Sequence, residues 1–315
     1  MKKCLMVAGG AVSAPLLGKI FREEEFAYVF AVDRGLEALD ACGIRATHLV
    51  GDFDSVAPDI LKKYLTGQET AENGSDREAV EKACAASEKS VGVADMRRSN
   101  DCCADGKALA VERLIPEKDD TDTEHAMRRA VALDPDEIVL AGGFGTRFDH
   151  VLANVHTLII PLCKGIPACM VDETNRVRLL GAGCQTETHR KSVPGGSRKE
   201  ECSGISEAVH GVDEESVNEG THDNTGRKLN ASVADAQLRI KISDAWGNYV
   251  SLLPLTTEVS GITLEGFKYT LTDGSFRVGE TVSLGVSNEL TAEEGIIRIK
   301  NGILAVIESS DDGRI

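Results

Sequence analysis

The chain has 315 residues, 42% of them apolar, which is length for two domains, or one with insertions, and side chain enough to fill real cores. Its 51 acidic residues against 35 basic ones leave a net charge of -16 with no basic patch, a surface that repels nucleic acid and anionic lipid. No run approaches the roughly 20 apolar residues of a membrane span, and nine cysteines without a C-x-x-C pair or a Cys–His grouping at zinc spacing read as reduced thiols of a cytoplasmic protein.

Met1-Lys2-Lys3 and the apolar stretch up to Leu17 superficially resemble a secretory signal. Gly9, Gly10 and Pro15 interrupt it, so a strand, a turn and a helix start are expected instead. Apolar runs at 5–9, 28–33, 48–52 and 138–142 each stop at a glycine or an aspartate and read as buried parallel strands. Helical stretches at 34–42 and 123–133 lie between them, which predicts a β and α alternation with right-handed crossovers. Ligands of such open sheets sit outside the carboxyl ends of the strands, and there the candidate acidic residues fall.

Asp33 ends the second run, and the third continues into Gly51-Asp52-Phe53-Asp54-Ser55. If the strand extends through Asp52 and Asp54, both carboxylates share one face at a separation that a single Mg²⁺ bridges. The same D-x-D also opens phosphatases of the haloacid-dehalogenase type, and a plain Asx turn closing a loop is the structural alternative. Lys118-Asp119-Asp120-Thr121-Asp122 precedes a helical pattern, so Thr121 or Asp122 serves as its cap, while the helix start also suits a phosphate-bound cation.

Gly142-Gly143-Phe144-Gly145-Thr146-Arg147-Phe148-Asp149-His150 follows the fourth strand. Its glycines permit close backbone approach, Arg147 can fork onto a phosphate, and Asp149 with His150 can orient sugar, metal or Arg147. A glycine turn with Asp149 as the cap of the next helix is the other reading of this segment. Beyond Gly165 a hairpin is expected around 172–176, and short runs at 238–242, 249–253, 261–264, 281–286, 296–299 and 304–307 argue for a small antiparallel sandwich or barrel. Trp246 and the Gly285-Val286-Ser287-Asn288-Glu289 segment offer an aromatic and an amide for a heteroaromatic ring, with core packing as the alternative for the aromatic.

Two polar stretches fit neither half. Residues 71–112 read as a partly helical loop and 183–237 as mostly disordered, because neither composition buries enough surface to offset chain entropy. The expected division is an α/β unit over 1–167 with the first insertion and a β unit over 168–315 with the second.

These motifs, in this order, together with 250–255 and 261–269, resemble the thiamine pyrophosphokinases, also called thiamine diphosphokinases. The resemblance implies a Rossmann-like parallel-sheet nucleotide domain followed by a small antiparallel β-sandwich that binds thiamine, and a homodimer with sites between subunits. It implies transfer of a diphosphate from Mg²⁺-bound ATP to the hydroxyethyl oxygen of thiamine, releasing AMP. Carried over, Asp52, Asp54, Asp119 and Asp122 are catalytic, and Asp33, Asp52, Asp54 and Asp122 hold the metal. Asp33, Arg34, Lys118, Thr121, Arg147, Asp149, His150 and Asn154 serve the nucleotide, and Ser287, Asn288 and Trp246 approach thiamine. Arg34 stands where the family usually has a second glycine, so it either touches phosphate or crowds it. A metal-dependent phosphatase leaves the Arg147 and Ser287 segments unexplained, and a nucleotide- or thiamine-binding sensor without turnover is opposed by the intact carboxylates.

Overall fold

A computed structural model of the chain describes residues 1–66, 109–114, 120–182, 235–280 and 285–312. Lys118, Asp119 and nearly all of the two polar stretches, with the loop and the disorder expected of them, lie outside the described residues.

The first half alternates as its spacing predicts: β1 (Lys3–Val7), α1 (Ala14–Glu23), β2 (Phe26–Val32), α2 (Gly35–Ala41), β3 (His48–Gly51) and α3 (Pro58–Thr66). After β4 (Ala110–Arg113) come α4 (Asp122–Ala132), β5 (Glu137–Ala141), α5 (Phe148–Thr157), α6 (Ile159–Leu162) and β6 (Ala168–Val171). β4 corrects the expected loop at the end of the first polar stretch. It is a short, mostly exposed edge strand anchored by buried Leu109 and paired with β3, so its sequence carries no clear period.

The described residues beyond β6 form β7 (Asn175–Ala182), β8 (Ala236–Lys241), β9 (Tyr249–Pro254), β10 (Glu258–Glu265), β11 (Leu271–Arg277), β12 (Asn288–Glu289), β13 (Glu294–Ile299) and β14 (Gly302–Ser309). β6 and β7 form the expected hairpin. β11 and β12 were not expected: β11 buries only Phe276, and β12 is two residues long.

Among the described residues ten strands make one mixed sheet in the order β12-β9-β14-β7-β6-β5-β1-β2-β3-β4. Pairs from β6 to β4 are parallel, and pairs from β6–β7 outward to β12 are antiparallel. A second, antiparallel sheet has the order β11-β10-β13-β8. The small sandwich is therefore built by packing this second sheet on the antiparallel end of the first.

Burial explains the strand sequences. Along β1, Leu5 and Val7 join the core under α1 to α3, while Cys4 and Met6 join the core under α4 and α5, so every position after Lys3 is apolar. Leu17, Leu36 and Leu39 fill the first of these cores and Met127 and Leu158 the second, each fully buried aliphatic side chain contributing about 1.5–3 kcal/mol. In the sandwich, Val250, Leu252, Leu304 and Val306 face Ile262, Leu264, Ile297 and Ile299, which produces the alternation seen in that half.

Candidate active site

β1 pairs with β2 on one side and with β5 on the other. After β1 the chain continues to β2 on one side and after β5 to β6 on the other, so the strand order reverses between β1 and β5, the place where open sheets form a binding crevice. That crevice is a cleft of about 300 Å³ lined by Gly9, Gly10, Asp33, Arg34, Ser55, Thr121, Asp122, the 142–147 turn, His150 and Asn154.

Its walls require glycine. The Gly10 N–H donates to Gly142 O at 2.9 Å and the Ala11 N–H to Phe144 O at 2.7 Å, drawing the two loops together. A Cβ on Gly10 would collide with the Phe144 carbonyl, and one on Gly142, whose φ is +69°, with the Ala8 carbonyl. Gly9 and Gly10 escaped the sequence reading as site residues, although a glycine pair directly after the first apolar run was the available signal.

Asp33 sits at the carboxyl end of β2 in the left-handed region, φ +46°. Its Oδ1 is buried with no hydrogen-bond partner in the described structure. Burial, the charges of Asp122 and Asp52 and a hydrogen bond shared with Asp122 push its pKa up to about 7, against the Phe53 N–H, which lowers it. Asp122 is the first residue of α4. Thr121 caps that helix by accepting the Glu124 N–H at 3.1 Å, so capping and a place beside the crevice coincide.

The expected same-face pair is corrected. β3 ends at Gly51, Phe53 has φ +60° and turns its ring into the core, and Asp52 Oδ1 accepts the Asp54 N–H at 3.1 Å. The pair thus forms an Asx turn in which Asp52 approaches Asp33 while Asp54 is exposed. Among the described residues no group of three or more His, Cys, Asp or Glu is already gathered to hold a metal ion.

Arg147 is the N-cap residue of α5 and is exposed, its guanidinium bound by Asp149 through Nε at 3.3 Å and Nη2 at 2.6 Å. This presents an oriented fork at the cleft mouth. Asn154 is buried, and its Nδ2 donates to Gly143 O at 2.8 Å, holding the glycine turn in shape. Arg34 lines the cleft and lies 3.6 Å from Glu37.

In the other half, Asn288 is 1% exposed and spends its amide internally: Oδ1 accepts the Tyr269 and Glu289 N–H groups and Nδ2 donates to Tyr269 O. Ser287 beside it is exposed at φ +55°, with its N–H on Ser251 Oγ. Trp246 packs beside the β6–β7 turn, donating from Nε1 to Asp172 O at 2.9 Å, with Arg176 5.5 Å and Lys19 6.0 Å from the ring.

Comparison with known proteins agrees with this layout. Residues 98–170 match the family described as "Thiamin pyrophosphokinase, catalytic domain", and residues 236–304 match "Thiamin pyrophosphokinase, vitamin B1 binding domain". The thiamine pyrophosphokinase of Bacillus subtilis is 25% identical, covering 99% of this chain and 100% of its own. A solved thiamine pyrophosphokinase from the same organism shares the fold at TM-score 0.59 and 22% identity, covering 99% of this chain and 100% of its own. That of Geobacillus thermodenitrificans does so at 0.59 and 23% with the same coverage. The enzyme of Candida albicans does so at 0.53 and 13%, over 98% of this chain and 89% of its own. Both family models and the relatives that match across the whole chain indicate the thiamin pyrophosphokinase family.

Proposed function

We propose that this chain moves a diphosphate group from ATP to the hydroxyethyl oxygen of thiamine in one step and releases AMP, with residues 1–167 as the catalytic unit and 168–315 as the thiamine-binding unit. The family that the comparisons indicate implies a transferase. The observation that carries the finer reading is the crevice at the switch point, where glycine turns, the amino end of α4 and Arg147 surround mutually repelling carboxylates. The helix start and the guanidinium suit phosphate oxygens.

A hard divalent cation fits the same place. Asp33 keeps one buried oxygen without a partner, Asp122 and Asp52 raise its pKa, and the neighbouring donors are carboxylate oxygens. Asp33, Asp52, Asp54 and Asp122 would hold Mg²⁺, which supplies charge neutralisation on the phosphates. Asp119 stands as a further catalytic carboxylate from the resemblance, and Lys118 as a nucleotide contact. The protein's own part is alignment: Arg147, steadied by Asp149, takes a phosphate oxygen, Asn154 shapes the glycine turn, and the acceptor oxygen of thiamine is brought in line with the β-phosphorus.

Ser287 and Asn288 lie at β12 or beside it. Five strand spacings separate β12 from β5, about 24 Å of sheet, too far for one chain to hold both reactants at one point. This supports a homodimer in which exposed Ser287 of one copy, held in place beside buried Asn288, faces the crevice of the other.

The test is formation of AMP and thiamine diphosphate from thiamine, ATP and Mg²⁺, with a control lacking thiamine. Stoichiometric appearance of both products is expected. ADP or phosphate without thiamine diphosphate would overturn the reading.

A further inference from the structure

The β1–α1 loop forms one wall of the crevice, and up to Ala11 it is fastened by main chain alone: Ala8 N–H to Ala141 O, Gly10 N–H to Gly142 O and Ala11 N–H to Phe144 O. The next fastening is a side chain from elsewhere. Glu173 Oε1 accepts the Ser13 N–H at 3.2 Å, across 160 residues of sequence.

Ser13 is the N-cap of α1 and accepts the Leu16 N–H at 3.2 Å. In a capping box the N-cap N–H is satisfied by a Glu or Gln at the third helical position. Here that position is Leu16, which is buried in the core. The acceptor comes instead from the β6–β7 turn, so the cap ties the loop to another element.

That turn is rigid. Asp172 Oδ1 accepts the Thr174 and Asn175 N–H groups at 2.8 and 2.6 Å and the Thr174 hydroxyl at 3.2 Å. It is braced from behind by Trp246, whose Nε1 donates to Asp172 O and whose backbone N–H donates to Glu308 Oε2 at 3.0 Å. Glu308 is fully buried and held by Arg176 through Nε and Nη2 and by Arg178 through Nη2. Hydrogen bonds joined by short pieces of chain thus lead from β14 through Trp246 and the hairpin turn to Ser13, at the end of the crevice-wall loop.

We propose that Glu173 is a positioning residue that fixes the Gly9–Gly10 loop at the width the phosphate chain of the nucleotide needs. The proposal rests on reading the crevice as the ATP site. Glu173 acts through its acceptor oxygen, not its charge, and that separates two substitutions: Glu173→Ala removes the acceptor, while Glu173→Gln keeps it and removes only the charge.

The experiment measures the dissociation constant of Mg²⁺ with a non-hydrolysable ATP analogue by calorimetry on the full chain, alongside kcat, KM for ATP and thermal unfolding. Glu173→Ala is expected to weaken analogue binding and raise KM about fivefold, the size of one lost hydrogen bond, with kcat within about twofold. Glu173→Gln is expected to stay close to wild type. If Glu173→Ala does not fold, Glu173→Asp, which withdraws the acceptor by one methylene, is expected to show the same loss. Unchanged affinity without the acceptor, tighter binding in Glu173→Ala, or equal weakening in the Ala and Gln variants would overturn the proposal. Wild type that binds the analogue but makes no thiamine diphosphate sinks the functional reading while the Ala and Gln comparison still decides the role of Glu173. Wild type that does not bind the analogue sinks both.

Discussion

Two carboxylates set in opposite halves of one sheet are treated in opposite ways. Glu308 on β14 is fully buried, and each of its oxygens receives two donors: Arg176 and Arg178 on Oε1, Arg176 and the Trp246 N–H on Oε2. Asp33 after β2 meets Asp122 and Asp52 and keeps one oxygen with no partner, in a backbone region that non-glycine residues avoid. Burial alone would raise both pKa values. For Glu308 the Arg176 hydrogen bond and the two guanidinium charges outweigh it and hold the carboxyl below its usual range, while for Asp33 the neighbouring acids add to it. The antiparallel half is arranged for its own stability. The parallel half stores unfavourable negative charge and strain at one spot, and a bound cation would relieve the charge.

The largest expected effect breaks the favourable side. Glu308→Ala leaves Arg176 and Arg178 facing a buried void, and should cost about 3–5 kcal/mol in urea unfolding. A cost under about 1 kcal/mol would show that the pairing does not hold the junction together.

On the unfavourable side, Asp33→Asn should lower turnover about 10²–10³-fold, the usual loss when a preorganised charged group is removed from a polar site. The same variant should make the metal-free protein more stable. Loss of both activity and stability would mean that Asp33 is a structural residue and would end the contrast.

A mixture of two inactive variants sharpens the contrast between halves. Asp122→Asn should disable the crevice and Ser287→Trp the opposite edge. If sites form between copies, chains mixed by denaturation and refolding should regain about a quarter of wild-type activity, because about half the dimers are mixed and each holds one intact site. No recovery would place all the groups of a site within one chain.

The two halves also differ in how legible they are. β1, β2, β3 and β5 could be read because a strand covered on both faces becomes an unbroken apolar run, and their terminal Gly or Asp residues marked the crevice. Asp33 is legible there for that reason, Arg147 from the glycine turn after β5 and Asp122 from the start of a helix. Edge strands β4 and β11 bury too little to leave a period, and no local pattern shows that β7, β14 and β9 extend the sheet begun by β1. The turn at Phe53 defeats the same-face argument for Asp52 and Asp54, since a positive φ at a core phenylalanine is set by tertiary packing. The Glu173 contact with Ser13 spans 160 residues and has no local signature.

The smallest expected effect is in pH, and its sign differs between the two carboxylates. Asp33 has a folded pKa of about 7 against an ordinary value of 3.8, so its contribution to stability is full below about pH 4 and lost as pH rises through 7. The stability advantage of Asp33→Asn should therefore be absent near pH 4, grow between pH 4 and 7, and level off above, reaching on the order of 1 kcal/mol after allowance for solvent screening of a partly exposed group. Glu308 has a lowered pKa, so its contribution is full above its ordinary 4.5 and is lost as pH falls through the folded value. The deficit of Glu308→Gln should then be constant at neutral pH and shrink in acid. His48, pushed down to about 4 by burial and the Arg129 charge against an opposing Glu112, weakens wild type and both variants alike below its ordinary 6.5 and cancels in the differences. An Asp33→Asn advantage that is flat from pH 4 to 8 would mean that the charge on Asp33 carries no cost, and the contrast between the two halves would then rest on geometry alone.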